Sequence, residues 1–144
     1  MTESAPRIQT EIQVMFFDTD CGGVVHNIAY LRFVEIARTL LAEKLGMKLV
    51  EMAQTQCYPV VVRTEIDYRR AAKLGDHLRI EGWLERLERA RFWCGFQIRR
   101  LEDRALIAES RQMLALLQMP EAKLLRLPKA WERYRDLENA SALR

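Results

Sequence analysis

One stretch of this chain carries an apolar stripe at helical spacing long enough to serve as the spine of a domain. Between Ile28 and Leu45, the residues Tyr30, Phe33, Val34, Ala37, Leu40, Leu41 and Leu45 recur at three- and four-residue intervals. Arg32, Glu35, Arg38, Thr39 and Glu43 fall on the opposite side, and Gly46 supplies a stop. The spacing predicts a helix over 28–45 with Asn27 as its N-cap, without a capping box at Tyr30. Around this helix the period changes to two. Ile12, Val14 and Phe16 alternate with Glu11, Gln13 and Met15, which predicts a strand over 10–17. Residues 58–68, 77–86, 91–99 and 105–117 read as four more strands. Gly75-Asp76 marks a turn, and the segments 88–90 and 101–104 are short enough for hairpins. A short helical piece is expected over 48–54, and Pro128 opens a terminal helix over 128–139. A single long helix among antiparallel strands implies an α+β fold in which a curved sheet of about five strands wraps one central helix. The outer face of so small a sheet is expected to stay partly apolar and to pair with another subunit.

The chain has 144 residues, 49% of them hydrophobic, which suits one domain over 1–144 with a real core. No apolar run approaches the ~18 residues of a membrane span, and residues 1–7 lack a signal-peptide core. Three widely spaced cysteines, Cys21, Cys57 and Cys94, point to reduced thiols and a cytoplasmic protein. With only His26 and His77 beside them, no metal-site spacing is present and no cofactor is expected. Net charge is +3 with basic residues scattered among acids, unlike the concentrated basic face of a nucleic-acid binder.

The segment Phe17-Asp18-Thr19-Asp20-Cys21-Gly22-Gly23-Val24-Val25-His26-Asn27 joins the first strand to the helix. Its chemistry is constrained by what the chain lacks. None of Ser4, Ser110 and Ser141 sits in a Gly-x-Ser-x-Gly elbow, and there is no P-loop or dinucleotide glycine pattern. A helix start at 27–30 offers free N–H groups and a favourable dipole for an oxyanion. An isolated Asp-x-Asp is more often a pair of loop caps than a catalytic pair. The two glycines favour Asp20, because small residues let a ligand approach the backbone.

The pattern Asp18-Thr19-Asp20-x-x-Gly23-Val24-Val25-His26-Asn27-x-x-Tyr30-x-x-Phe33-x-Glu35 resembles the signature of the hot-dog-fold acyl-CoA thioesterases. The closest subgroups are the 4-hydroxybenzoyl-CoA thioesterase and Tol-Pal-associated types. Ile66-Asp67-Tyr68, Gly75-Asp76-x-Leu78 and Arg126-Leu127-Pro128 fit as well, so the resemblance spans about residues 9–135. It implies an acyl-CoA substrate hydrolysed to free CoA and a carboxylic acid, with Asp20 as general base or nucleophile. It implies that the backbone N–H of Asn27 polarises the thioester carbonyl. Gly23, Val24 and Tyr30 are then expected beside the substrate, with Tyr30 and Phe33 packing rather than reacting. Tol-Pal-type members have tyrosine then histidine where this chain has His26 then Asn27, so His26 is either a proton carrier or a residue lining the site. Cys21 has no base paired to it by the sequence.

Coenzyme A brings phosphates that need exposed cations. By resemblance these are Arg89 and Arg91 on the hairpin between the second and third long strands; Arg69, Arg70 and Lys73 form a second cluster. The family also implies a homodimer with continuous sheets and the site between subunits, or a dimer-of-dimers tetramer. The rival from another class is a non-catalytic acyl-CoA or acyl-carrier binding module of the same fold. A hot-dog hydratase fits the Asp18–Tyr30 pattern poorly.

Overall fold

The computed structural model describes residues 5–135. Its elements run β1 (Arg7–Gln13), a 3₁₀ turn (Phe16–Asp18), α1 (Asn27–Lys44), α2 (Leu49–Thr55), β2 (Cys57–Tyr68), β3 (His77–Leu87), β4 (Arg91–Arg100), β5 (Leu106–Gln118), the two-residue β6 (Lys123–Leu124) and a 3₁₀ turn (Lys129–Tyr134). The five long strands form one antiparallel sheet in the order β1-β3-β4-β5-β2, and β6 pairs with β5. The sheet curls over α1, as the single apolar stripe required. This is the α+β hot-dog architecture.

Alternation sorts the sheet into two faces. Leu78, Ile80 and Leu84 of β3 and Cys94, Phe96 and Ile98 of β4 point inward to meet Ala29, Phe33, Val34, Ala37 and Leu41 of α1. At the far end of the helix Trp131 closes the core. Its ring stands edge-on to Phe92 at 5.1 Å, and its Nε1 donates to the Leu45 carbonyl at 3.0 Å.

Several sequence expectations are corrected. The first strand covers 7–13 rather than 10–17. The Asp18 carboxylate accepts the Met15 N–H at 2.8 Å and bends the chain into a 3₁₀ turn, leaving Phe16 81% and Phe17 70% exposed. The N-cap of α1 is His26, not Asn27. Arg38 does not lie on the solvent side. It is half-buried, donates to the Gln112 Oε1 at 2.8 Å, and burial lowers its pKa below the usual guanidinium value. Residues 129–134 form a 3₁₀ turn where a terminal helix was expected, and the rest of that segment lies outside the described residues.

On the outer face of the sheet, arginines cover part of the apolar surface. Its two tryptophans are roofed by arginines: Arg7 lies 4.8 Å over Trp83 and Arg111 4.6 Å over Trp93. The Trp83 ring lies flat on Gly95, where an added Cβ would sit 2.5 Å from the ring. Exposed apolar side chains gather elsewhere. Val60, Val61, Val62 and Tyr68 lie on β2, and Met15, Phe16, Phe17, Ile28 and Leu31 surround the start of α1. The helix packs on β1, β3 and β4, and β2 is left as a free edge.

Candidate active site

The loop between β1 and α1 is held on a platform supplied by residues 72–76. Val14 N–H donates to the Asp76 carbonyl at 2.8 Å, and Gly75 N–H donates to Val14 at 3.0 Å, so the turn before β3 takes over where β1 ends. Farther along, Val25 N–H donates to Ala72 at 2.8 Å and Leu74 N–H to Gly23 at 3.0 Å. Between these anchors the loop folds on itself. Thr19 bridges Val25, Asp20 N–H reaches the Val24 carbonyl at 2.9 Å, and Gly23 N–H returns to the Asp20 carbonyl at 3.1 Å. The turn closes because Gly23 adopts φ +75°, a left-handed conformation that glycine takes without strain.

The two aspartates are placed in different environments. Asp18 is 3% exposed. Its Oδ2 takes the Met15 N–H and its Oδ1 takes the Arg32 Nη2 at 2.6 Å. Both oxygens are committed to shaping the loop. Asp20 is exposed. Its Oδ1 accepts the Gly22 N–H at 2.8 Å, an Asx turn, while its Oδ2 has no hydrogen-bond partner among the described residues. One carboxylate oxygen is thus fixed in direction and the other is free to act on a ligand.

His26 caps α1 with extended backbone, φ −76° and ψ 153°, and its Nδ1 accepts the Ala29 N–H at 3.3 Å. The cap satisfies the third N–H of the helix. The backbone N–H groups of Asn27 and Ile28, ahead of it in an exposed first turn, have no acceptor among the described residues. They are the helix-terminus donors that an oxyanion would need.

Tyr30 lies beneath the loop rather than facing solvent. Its ring is buried and its hydroxyl accepts the Ala72 N–H at 3.1 Å; burial raises its pKa. The ring of Tyr68 packs edge-on against Tyr30 at 5.4 Å, and the Tyr68 hydroxyl donates to the Asn27 carbonyl at 3.4 Å. Tyr68 therefore braces the helix start from β2, and Arg32 braces the loop from α1. Neither role was assigned from the sequence. In the sequence Tyr68 belongs to a matching motif without an evident partner, and helical period places Arg32 on the solvated side.

The loop end of the molecule gathers Asp20, Gly23, Val24, His26, Asn27 and Tyr30. Arg89 and Arg91 are not brought there. They flank the β3–β4 hairpin, at the opposite end of β3 from the loop. This strand has 11 residues, and at about 3.3 Å per rise its ends lie roughly 33 Å apart. The cluster Arg69, Arg70 and Lys73 does border the loop, since Lys73 bridges Val24; Arg69 is already paired with Glu109 at 3.1 Å. Cys21 is exposed on the turn, while burial pushes the Cys94 thiol up to about 12, far from a reactive thiolate. Among the described residues no group of His, Cys, Asp and Glu converges as a metal site, and no helix is long and apolar enough to cross a membrane.

Residues 14–133 match the family described as the thioesterase-like superfamily. The chain is 31% identical over 119 residues to the acyl-CoA thioesterase YbgC of Haemophilus influenzae, covering 82% of this chain and 86% of that one. It is 28% identical over 124 residues to the 1,4-dihydroxy-2-naphthoyl-CoA hydrolase of Synechocystis, covering 85% and 89%. The crystal structure of Slr0204, a 1,4-dihydroxy-2-naphthoyl-CoA thioesterase from Synechocystis, superposes with a TM-score of 0.77 at 25% identity, covering 88% of this chain and 93% of that one. The DHNA-CoA thioesterase structure from Staphylococcus aureus shares the fold with a TM-score of 0.83 at 21% identity, covering 94% and 93%.

Proposed function

The chain belongs to the thioesterase-like superfamily of hot-dog fold, and from that premise we propose that it hydrolyses an acyl-CoA thioester with Asp20 as general base or nucleophile. It is a thioester hydrolase. In the reaction a C–O bond forms at the acyl carbon, the C–S bond breaks, and the CoA thiolate takes up a proton. Asp20 either removes a proton from the attacking water or attacks the carbonyl itself to give a mixed anhydride that water then opens. The Asn27 N–H, with Ile28 beside it, faces the developing oxyanion. Gly23 and Val24 give the thioester access to the backbone, and His26 orients the helix start.

The observation that carries this reading is the division of labour between the aspartates. Asp18 has both oxygens occupied, whereas Asp20 keeps one free, on the same loop that leads into the unpartnered N–H groups of the helix start. The site is completed by a second copy pairing along β2, as a homodimer or a dimer-of-dimers tetramer. Unpaired Cys21, Cys57 and Cys94 suit a reducing, cytoplasmic compartment.

Asp20→Asn keeps the side-chain shape and removes the base or nucleophile. Its kcat is expected to fall at least ~10²-fold, with CoA-ester binding retained. Turnover is read by thiol release over a panel of aryl, short and long acyl-CoA esters. A folded variant with near wild-type turnover removes Asp20 from the mechanism. A wild-type protein that binds CoA esters and hydrolyses none is the binding module instead.

A further inference from the structure

We propose that a second, phosphate-binding site lies on the outer face of the sheet, in the pocket lined by Arg79, Arg99, Arg100 and Arg104. The pocket holds about 380 Å³, within the ~300–1,000 Å³ typical of small-molecule sites, and Glu81 and Leu101 complete its lining. Three features of this place call for an anion.

Arg79 and Arg99 are direct cross-strand partners on the same face of β3 and β4. Like charges directly opposite one another repel, and a bound anion between them removes the repulsion. Second, the Nε of Arg79 is buried without a hydrogen-bond partner, although its Nη2 reaches Glu11 at 3.2 Å. Buried donors are nearly always paired, so this guanidinium has donor capacity left unused. Third, the neighbouring carboxylates do not serve the whole cluster. Asp76 and Asp103 hold Arg100 at 3.0 and 3.1 Å, and Glu81 pairs with Arg7 at 3.7 Å. Arg99 and Arg104 have no carboxylate partner among the described residues. Arg99 instead donates to the Arg104 carbonyl at 3.2 Å, which holds the β4–β5 hairpin against the pocket. Guanidinium forks so arranged match the oxygen geometry of phosphate.

The pocket is tied to the active loop through Asp76. The carbonyl of Asp76 accepts Val14 N–H at the start of the loop, and its carboxylate takes Arg100 at 3.0 Å. Leu101 N–H donates to the His77 carbonyl at 2.9 Å, so the hairpin lies at the loop end of the sheet. CoA carries its phosphates at the far end of the pantetheine arm from the thioester. A phosphate site for the substrate therefore stands apart from Asp20, and this pocket, at the loop end of the sheet, does so. The link to CoA rests on the thioesterase reading; the anion site itself does not. The chemistry is that of a phosphate ester or pyrophosphate, whether CoA or a free phosphate compound supplies it.

The test uses the full chain and the variant Arg99→Gln/Arg104→Asn. Glutamine keeps a donor for the hairpin, and asparagine tolerates the left-handed φ of +60° at 104. Calorimetric titration with inorganic pyrophosphate is expected to show binding to the wild type, weakened about tenfold in the variant. Kinetics then identify the source. If CoA fills the pocket, KM for a CoA ester rises about tenfold in the variant while KM for an N-acetylcysteamine thioester does not. Weakened pyrophosphate binding with no rise in KM assigns the pocket to a free phosphate compound. The proposal is overturned if the wild type does not bind pyrophosphate, or if the folded variant binds it as tightly. It is equally overturned if the variant only changes the sedimentation of the assembly, which makes the pocket a seat for acidic groups of a second copy. Pyrophosphate binding is measured without turnover, so its loss and a failure of the Asp20 mechanism are read separately.

Discussion

Removing the Asp18 carboxylate leaves the Met15 amide and the Arg32 guanidinium without their acceptor. Arg32 is half exposed, so solvent screens much of its loss, and the part-buried Met15 amide dominates the cost. Asp18→Ala is expected to lower unfolding stability by about 2 kcal/mol in a urea titration. Asp20→Ala, in an exposed turn, is expected to stay within about 0.5 kcal/mol of wild type while losing turnover. The two variants thus separate folding from chemistry at positions two residues apart. From the sequence both aspartates were equal members of one Asp-x-Asp, and the glycines and the family resemblance favoured Asp20. What distinguishes them physically is Arg32, 14 residues on, whose helical phase put it among solvated residues. Spacing along a helix gives direction from the axis, and it does not reveal a loop folded back over that direction.

The start of α1 depends on a ring nitrogen where a serine or aspartate is commoner. If His26 serves only as the cap, His26→Ala lowers stability by about 1 kcal/mol and His26→Asn restores most of it. The pH–rate profile then keeps its shape in both variants. A limb that disappears in both, with stability restored by asparagine, shows that His26 moves a proton. The helix itself was legible because its apolar residues repeat for five turns, and β3, β4 and β5 because they alternate against it. The end of β1 was not. Phe16 continues the alternation of Ile12 and Val14, yet it lies in a turn and is exposed. An apolar residue satisfies the strand pattern whether its own core or another chain covers it, and the pattern records only polarity.

At the scale of the whole molecule, the uncovered apolar surface lies along β2 and beside the start of α1. Val60, Val61 and Val62 are exposed on an edge whose N–H and C=O groups have, among the described residues, no neighbouring strand on one side. Val61→Lys is expected to shift the protein to a smaller species in sedimentation and to lower turnover with it, because lysine on an edge opposes strand pairing. An assembly unchanged in mass with full activity moves the contact away from β2. The expectation that subunits pair rests on a partly apolar outer face and on the family resemblance, and arginines over Trp83 and Trp93 cover part of that face. Arginine stems and planes cover aromatic surface that a residue count scores as free.

Because β3 holds the Asp20 loop and the Arg89–Arg91 hairpin roughly 33 Å apart, substitutions at its two ends cannot feel one another within a single chain. Free-energy effects add when sites lie beyond about 7–10 Å and share no partner. Asp20→Asn and Arg89→Ala therefore contribute independently to kcat/KM in any isolated subunit. A double-mutant cycle that departs from additivity identifies a hairpin arriving from a neighbouring copy, so the length of one strand turns a kinetic measurement into a ruler for the assembly.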